Sequence, residues 1–424
     1  MAKKVFILFI GIIFFLSNAF VYAEELLSLD ALIQEAKLNN PDIQAVHKRY
    51  EAAQARIPQA KSLDDPTLGL TFEKAPDSPL RIKKTMPEDR MLSITQALPF
   101  FGKLPLKGKI ALVESQMSAA EYKDKELEIV NSLKNVYYDL FMNYKEIALK
   151  EESLRLLQGI AKVAEAKYSV GKLSQEEVFK IHSEIASLST EIVNLKQVQA
   201  VKKSHLNVLI NKSPENPLGV PNLTEDVSFN ADIDYLYRLT LENQPELLIL
   251  SYAIQKNKYV KSLAKRSFFP DFMAGLVARG ITTGSIGPWD LMLSFTAPIW
   301  FWSKQRYGLK EAIANLEEAE AAYQAMKNNA LAETKDLSAK VEIAKNKITL
   351  YKTDLLPILE SSIAVSLAAF QSGKGDFMAL LDSHRMLVET KMNYYKALVE
   401  YNMNLADLER NVGIGLTQYS EEKR

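Results

Sequence analysis

Residue types that perform catalysis or bind metals occur in the 424-residue sequence, but not at the spacings that chemistry needs. Segment 102–109 is similar to a phosphate-binding loop. Its spacing is one residue too long, and Ile110 stands where such a loop needs a serine or threonine to hold magnesium. The four histidines, none of which forms an HExxH metal-binding pair, are His47, His182, His205 and His384. The sequence therefore predicts no enzyme, no metal site and no cofactor.

Composition narrows the possible functions further. Cysteine is absent, which excludes disulfides, thiolate metal sites and cysteine nucleophiles. The 52 basic residues balance the 52 acidic ones, and no basic stripe stands out, so the composition does not favour a nucleic-acid partner. With 47% hydrophobic and 25% charged residues, the chain is expected to fold.

Residues 1–23 are typical of a secretory signal peptide. Lys3 and Lys4 precede an apolar run over 5–16, and Ala23 ends a plausible cleavage site. A membrane anchor is the alternative, but about 20 apolar residues are needed to span a bilayer. The stretch 5–20 is shorter than this and is interrupted by Ser17 and Asn18. No later segment is apolar for that length. A mature chain that crosses a membrane is therefore expected to do so as a closed β-barrel.

An internal repeat with a period of about 204 residues organises the rest of the chain. The helix opening at 39–43 (Asn-Asn-Pro-Asp-Ile) corresponds to 243–247 (Asn-Gln-Pro-Glu-Leu), and Pro66 corresponds to Pro270 without a gap. Further matches in the same order are Ala97-Leu98-Pro99 with Thr296-Ala297-Pro298, Tyr168–Lys172 with Phe370–Lys374, and His182 with His384. An ordered series of this kind indicates duplication.

Each half is predicted to contain two opening helices, two short strands, a long helix, a Gly-Lys turn and a returning helix. The strands, over about 66–98 and 271–297, alternate apolar and polar residues, as in Leu68, Leu70 and Phe72. Alternation of this kind is typical of a membrane barrel wall, although an ordinary half-buried hairpin has the same pattern.

The long helices are predicted over 108–168 and 304–370. A heptad pattern indicates coiled-coil packing, and the residues that carry it are Leu337, Val341, Ala344, Ile348, Tyr351 and Leu355. A helix over 304–370 is about 100 Å long at 1.5 Å per residue, too long for a compact globule. The shorter helices over 41–63 and 174–211 together match the length of 108–168. Stacked end to end, they are expected to run beside it.

The Gly-Lys turns have recognisable helix-end residues. Gly171 and Gly373 are predicted to adopt the left-handed conformation that ends a helix. Ser174 and Asp376 are predicted to cap the returning helices. Ser174 and Glu177 also have the spacing of a capping box.

Taken together, these features resemble the TolC family of outer-membrane efflux proteins over nearly all of the mature chain. The most specific parts are the duplicated helix openings at 29–43 and 233–247, the junction 96–103 (Gln-Ala-Leu-Pro-Phe-Phe-Gly-Lys), and the two turns. The resemblance implies a mainly α fold with a transmembrane β-barrel. In a homotrimer, four strands per protomer would form a twelve-stranded barrel, and long antiparallel coiled-coil helices would form a periplasmic α-barrel.

The predicted organisation is a signal peptide at 1–23, a first repeat at 24–222, a second repeat at 223–415 and a tail at 416–424.

The need for more than one copy of the chain follows without the resemblance. The smallest transmembrane barrels have about eight strands, so the four strands of one chain cannot close a barrel. The number three comes from the family alone. In the family, the loops at about 74–90 and 280–288 would face the outside of the cell.

The resemblance also implies functional residues at the periplasmic tip. The turns would dock an adapter protein through Val170, Gly171, Lys172, Leu173, Ser174, Gly373, Lys374 and Asp376. Asp382 would form a ring of negative charge around the pore. Glu177 matches a position used for interhelical contacts that close the tip, although the capping box is the favoured interpretation. Phe370 stands where the family has a tyrosine, so a gate here would use different bonds.

The sequence therefore predicts an outer-membrane channel of a Gram-negative tripartite efflux system, passively exporting metal ions or drugs. Its partners would be a periplasmic adapter (membrane fusion protein), an inner-membrane pump of the resistance-nodulation-division type, and outer-membrane lipid. The alternative is a secreted periplasmic coiled-coil adapter or scaffold without a channel, which explains the signal peptide and the heptads but not two alternating strand pairs.

Overall fold

The computed structural model describes residues 26–72, 90–225, 227–282, 285–372 and 374–416. The predicted signal peptide, most of the predicted 74–90 loop and nearly all of the predicted tail lie outside these ranges. The helices are α1 Leu29–Asn39, α2 Pro41–Lys61, α3 Lys103–Ser169, α4 Gln175–Leu209, α5 Ile233–Asn243, α6 Pro245–Arg266, α7 Lys304–Leu350, α8 Leu356–Gln371 and α9 Phe377–Val412. The strands are β1 Leu26–Leu27, β2 Thr67–Phe72, β3 Arg90–Leu98, β4 Val220–Pro221, β5 Phe272–Arg279 and β6 Trp289–Phe295.

Helix α3 begins earlier than predicted, at Lys103 rather than at 108. The cause is Gly102, whose left-handed backbone (φ 83°) turns the chain directly out of the strand segment and into the helix. The other helix starts follow the predicted signals. Pro41 and Pro245 open α2 and α6, and the Asn40 side chain accepts hydrogen bonds from the first free N–H groups of α2.

The second long helix contains a feature that the sequence analysis did not predict. A π-helical turn, Tyr351–Leu355, separates α7 from α8, so the predicted uninterrupted helix over 304–370 has an irregular turn. Pro357 lies at the start of α8. Since proline has no N–H to donate to the preceding turn, the regular hydrogen-bond ladder cannot continue through this position. A helical path nevertheless extends from Lys304 to Gln371.

A four-stranded antiparallel sheet has the order β2-β3-β5-β6. Its register aligns Leu68, Ile94, Leu276 and Leu291 in one row across the sheet, so the predicted alternation gives one strongly apolar face. Strands β2 and β6 are the sheet edges. A short parallel pair, β1 with β4, was not predicted, because two residues per strand carry no periodic signal.

The helices continue the order of the sheet. Near the sheet, α3 packs between α2 and α6, and α6 packs against α7. Farther away, α3 packs against α4 and α9, and α9 packs against α7 and α8. The chain therefore has two open edges. We call β2, α2 and α4 the first open edge, and β6, α7 and α8 the second open edge.

By length and hydropathy alone, one helical segment among the described residues could cross a membrane, Lys304–Gln371. Only 6% of its apolar 18-residue window is buried, so it is not the core helix of a globule. Ile358 and Val365, which are 65% and 70% exposed, belong to the second open edge. Such a single segment is weak evidence for a membrane span.

Candidate functional site at the two helix turns

The first turn joins α3 to α4. Gly171 has the predicted left-handed conformation (φ 69°), and its N–H donates to the Tyr168 carbonyl over 2.9 Å. The N–H of Lys172 donates to the Lys167 carbonyl over 2.8 Å, so two of the last carbonyls of α3 accept hydrogen bonds from the turn. Val170 is 66% exposed at the apex of this turn. The hydrogen-bonded C-terminus of α3 is thus followed by a solvent-exposed apolar side chain.

The predicted capping box closes the start of α4. The Ser174 hydroxyl accepts from the Glu177 N–H over 3.2 Å, and the Glu177 carboxylate accepts from the Ser174 N–H over 2.9 Å. The Ser174 hydroxyl also donates to that carboxylate over 2.7 Å. Within one protomer, the capping-box interpretation of Glu177 agrees with this geometry. The role of Glu177 in holding the tip shut stays a prediction.

The second turn joins α8 to α9 and is built differently. The N–H groups of Lys374 and Gly375 both donate to the Ala369 carbonyl, over 3.0 and 2.9 Å. Asp376 occupies the N-cap position of α9 but makes no side-chain capping bond, so the predicted cap is correct in position only. Its repeat counterpart, Ser174, does cap α4, because its hydroxyl accepts a hydrogen bond from the Glu177 N–H. Gly373 lies outside the described residues.

The fold brings the two turns to the same end of the molecule. The Lys167 ammonium donates a hydrogen bond to the Phe370 carbonyl and lies 4.0 Å from the centre of the Phe370 ring. Phe370 also packs against Phe377, with ring centres 5.9 Å apart. Both rings belong to an apolar cluster that also includes Ile181 and Leu381. The described residues predicted for docking therefore lie at the same end of the molecule.

Asp382 lies on α9, on the exposed side of the helix. One turn farther on, Arg385 pairs with Glu184 of α4 over 2.7 Å. Hydrogen bonding to Glu184 is the largest effect on the guanidinium and raises the pKa of Arg385 above its ordinary value. The charge of the Asp382 carboxylate is a smaller contribution to the raised pKa of Arg385, so Asp382 and Arg385 interact.

His384 is a residue whose surroundings the sequence analysis did not identify. It is 6% exposed, and its Nε2 lies 2.6 Å from the Ser153 hydroxyl of α3. Burial lowers the pKa of His384 below its ordinary value of 6.5. A cavity of about 340 Å³, lined also by Glu184 and Arg385, adjoins the ring. Its repeat counterpart, His182, is instead exposed and pairs with Glu165.

The junctions between strands and helices hold another contact that the sequence did not signal. The Asp271 carboxylate accepts from the Lys103 ammonium and from the Phe100 N–H, each over 2.7 Å. Phe100 stacks on Phe269, with ring centres 4.6 Å apart. These contacts join the two halves at 168 residues or more of sequence separation, where no local pattern could reveal them. The described residues contain no cluster of acids and histidines that could hold a metal ion.

The sequence matches one protein-family model and is similar to two resistance proteins. The family model described as outer membrane efflux protein matches residues 32–212 and 236–413, which is most of the chain. The cobalt-zinc-cadmium resistance protein CzcC of Cupriavidus metallidurans is 20% identical over 402 residues, covering 91% of this chain and 90% of CzcC. The fusaric acid resistance protein FusA of Burkholderia cepacia is 23% identical over 328 residues, covering 70% of this chain and 60% of FusA.

A solved structure also has the same fold. The outer-membrane channel OprN superposes with a TM-score of 0.77 at 16% identity, covering 91% of this chain and 90% of OprN. At this identity the likeness concerns the fold.

Proposed function

The chain belongs to the outer membrane efflux protein family, and from this premise we propose that it is the channel of a tripartite efflux system. In this proposal three copies form a twelve-stranded barrel in the outer membrane and an α-helical tunnel in the periplasm. An inner-membrane pump, of the resistance-nodulation-division type, supplies the energy, and an adapter protein bridges the pump to the tip. The channel itself is a passive path, so it needs no catalytic residue.

The observation that carries the proposal is the alignment of the open edges. The sheet ends at β2 and β6, and the helix layers end at α2 and α4 on one side and at α7 and α8 on the other. Unpaired strand edges and exposed apolar helix faces are unfavourable in isolation. Because both layers are open along the same two edges, one copy can join the next and continue the sheet and the helices together.

The sheet face supports placement in lipid. Its apolar face includes Leu70, Leu291 and Leu293, which are 69–74% exposed. Phe101 and Trp300, at corresponding positions of the two strand-to-helix junctions, are 81% and 60% exposed. Outward apolar bands bordered by aromatic residues are typical of outer-membrane barrels.

The experiment uses the three tryptophans of the chain, Trp289, Trp300 and Trp302, all of which lie in β6 or just after it. Reconstituted into vesicles of brominated phosphatidylcholine, the protein should lose tryptophan fluorescence relative to plain vesicles. The control replaces all three by phenylalanine and introduces Val170→Trp, about 100 Å away along α3. That variant should not be quenched. Unquenched wild type without single-channel conductance would favour the periplasmic scaffold instead.

The finer assignment is that Val170 to Ser174, Gly373, Lys374 and Asp376 dock the adapter, with Glu177 beside them, and that Asp382 faces the pore. A ring of carboxylates favours cations. Asp382→Asn should therefore lower the ratio of cation to anion permeability, measured as a shift of the reversal potential in a salt gradient. The control is Glu317→Gln, an exposed acid of α7 far from the turns. An equal permeability ratio in wild type and Asp382→Asn would contradict the proposal that Asp382 forms a charged ring around the pore.

The substrate is a metal ion or a drug. CzcC is named for resistance to cobalt, zinc and cadmium, and FusA for resistance to fusaric acid, so both classes occur among similar proteins. Export assays with the two classes, in cells that carry the matching pump and adapter, distinguish them.

A further inference from the structure

A groove of about 590 Å³ opens where β3 leads into α3, and we call it the junction groove. Its volume lies within the range of about 300–1,000 Å³ that is usual for small-ligand sites. The residues that line it are apolar or glycine, and they include Leu63 just after α2, Leu98 at the end of β3 and Leu104 in α3. The groove therefore fits an apolar group and offers no polar side chain along its walls.

The junction groove is continuous with the apolar face of the sheet. Leu98 and Phe272 line the groove and lie opposite each other in the pairing of β3 with β5. Ile94 and Leu276, farther along the same two strands, are paired on the same face. Leu98 and Phe272 are 38% and 42% exposed, so the groove is open beside them. A molecule that covers the apolar sheet face can therefore also enter the groove.

A guanidinium group lies at the border of the junction groove. Arg266, the last residue of α6, donates a hydrogen bond to the Phe101 carbonyl. It lies so close to Gly102 that a Cβ atom at that position would be 2.6 Å from the guanidinium carbon. Within the described part of the chain, Arg266 makes no ion pair. Because a guanidinium has five N–H donors, Arg266 can bind a further acceptor here.

Basic residues outnumber acidic ones around this border. Near the ends of α2, α3 and α6, the exposed lysines that form no ion pair among the described residues are Lys61, Lys107 and Lys265. The acids in the same region are the exposed Asp64 and Asp65, and Asp271, which Lys103 pairs with over 2.7 Å. Three lysines and Arg266 against two unpaired aspartates favour an anionic group at this place.

From the apolar groove and its basic border we propose that the junction groove binds one phospholipid, from the membrane leaflet nearest the helices. One acyl chain lies along Leu98, Phe272 and Leu104, and the phosphate accepts hydrogen bonds from Arg266. A phospholipid is the partner that joins a long apolar chain to an anion, and the groove and its border require both. The inference rests on the proposed placement of the sheet in the outer membrane and adds one bound lipid per chain.

The second junction is built from different residues. When the repeat alignment is continued, Phe301 stands in the place of Gly102, and Ser62 stands in the place of Arg266. Trp302 packs edge-on against Phe301, with ring centres 5.1 Å apart. An aromatic cluster thus occupies the position where the first junction has a glycine beside a guanidinium. The second junction is therefore a natural control for the first.

Two single-tryptophan proteins can report on the groove and on the sheet face separately. The groove reporter has all three native tryptophans replaced by phenylalanine and carries Phe272→Trp. The face reporter keeps Trp289 alone, which lies on the same face of the sheet. Phe272 pairs with Phe295, at the other end of β6 from Trp289. At about 3.4 Å per residue, the two reporters are about 20 Å apart along the strand.

Limiting lipid in detergent tests the site. Brominated phosphatidylglycerol, at roughly equimolar lipid and chain, should quench the groove reporter and leave the face reporter nearly unquenched. Arg266→Gln keeps a donor for the Phe101 carbonyl but removes the charge. It should raise the lipid concentration for half-quenching by about tenfold, the usual worth of a hydrogen bond to a charged group. The matched control is Arg306→Gln, an exposed arginine near the start of α7, which should change that concentration by less than about twofold.

The outcomes separate the bound lipid from the proposed function. Selective quenching of the groove reporter, with the larger effect for Arg266→Gln, supports the bound lipid. Equal or absent quenching of the two reporters at limiting lipid, or equal effects of the two arginine variants, overturns it. In bilayers of brominated lipid both reporters should be quenched. A quenched face reporter with an unquenched groove reporter means that protein, such as a second copy, covers the groove; this overturns the inference and leaves the sheet in lipid. If neither reporter is quenched in bilayers, the proposed membrane placement fails instead.

Discussion

Helices α4 and α9 occupy the same place in the two repeats, yet the protomer buries them to different extents. Along α9, buried residues recur from Phe377 to Val412. Along α4, the buried residues are only Ile181, Ile192, Leu206 and Asn207. Helix α9 packs against α3, α7 and α8, whereas α4 packs mainly against α3. Position in the fold, and not membership of the repeat, decides which of the two helices is enclosed.

Helix α4 has exposed apolar residues because few helices of its own protomer cover it. Phe179, Val193, Val201 and Val208 are 56–62% exposed. In a lone protomer they would form an unfavourable surface. In the proposed trimer the first open edge, which includes α4, faces the second open edge of the next copy. The duplicated helix would then be enclosed by assembly where its counterpart is enclosed by folding.

The largest expected difference between the two helices is at Leu381 and its counterpart Phe179. Leu381 is 3% exposed and Phe179 is 62% exposed. Leu381→Ala should lower the free energy of unfolding of the protomer by about 2–5 kcal/mol, because it leaves a cavity. Phe179→Ala should change it by about 0.5 kcal/mol or less.

Denaturant titration of dilute, dissociated protomers measures this difference, and native gels measure the trimer fraction. Phe179→Ala should lower the trimer fraction without destabilising the protomer. If both variants lose similar stability as protomers, α4 is enclosed without a partner, and the contrast between the helices disappears.

A smaller difference is expected between the two helix starts. Ser174 caps α4 through its hydroxyl, whereas Asp376 makes no side-chain capping bond to α9. Ser174→Ala should therefore cost about 1 kcal/mol of stability. Asp376→Ala should cost only a few tenths, about 0.3 kcal/mol, from the lost interaction of a carboxylate with the helix dipole. Thermal unfolding followed by circular dichroism compares the two, and equal losses would mean that Asp376 caps α9 after all.

Local patterns explain why much of the fold could be predicted from sequence. Proline at the first helical position predicted the starts of α2 and α6, and the glycine at position 171 predicted the end of α3. The apolar alternation predicted β2, β3 and β6, and the repeat predicted β5. Helix α3 began earlier than expected, and the π-turn before Pro357 had no sequence signal beyond the proline itself.

The candidate site was less predictable, because its contacts are distant in sequence. Lys167 meets Phe370, and Ser153 meets His384, across more than 200 residues. The hydrophobic periodicity of a sequence contains no information on pairs so far apart. The repeat alignment could even mislead, since His182 and His384 align but have different surroundings. The predicted docking residues and the Asp382 ring stay predictions until a trimer is tested.

The smallest expected difference concerns those two histidines and pH. Burial lowers the pKa of His384, while Glu152 and Glu184 oppose that change and Lys391 adds to it. The unfolded chain then binds a proton more readily than the folded one. Stability contributed by neutral His384 is complete above its ordinary pKa of 6.5 and is lost as the pH falls through and below that value. His182, exposed and paired with Glu165, has no comparable burial.

Thermal unfolding at about pH 8 and about pH 5 tests this difference, since that interval spans the usual histidine range. His384→Gln keeps a group that can bond to Ser153 but cannot bind the proton. It should therefore reduce the loss of stability at low pH. His182→Gln should leave that loss nearly unchanged, because exposed ion pairs contribute about 0–1 kcal/mol. If the two variants show the same pH dependence as wild type, the buried histidine does not distinguish the second repeat from the first in this respect. The contrast between the repeats would then be one of packing alone.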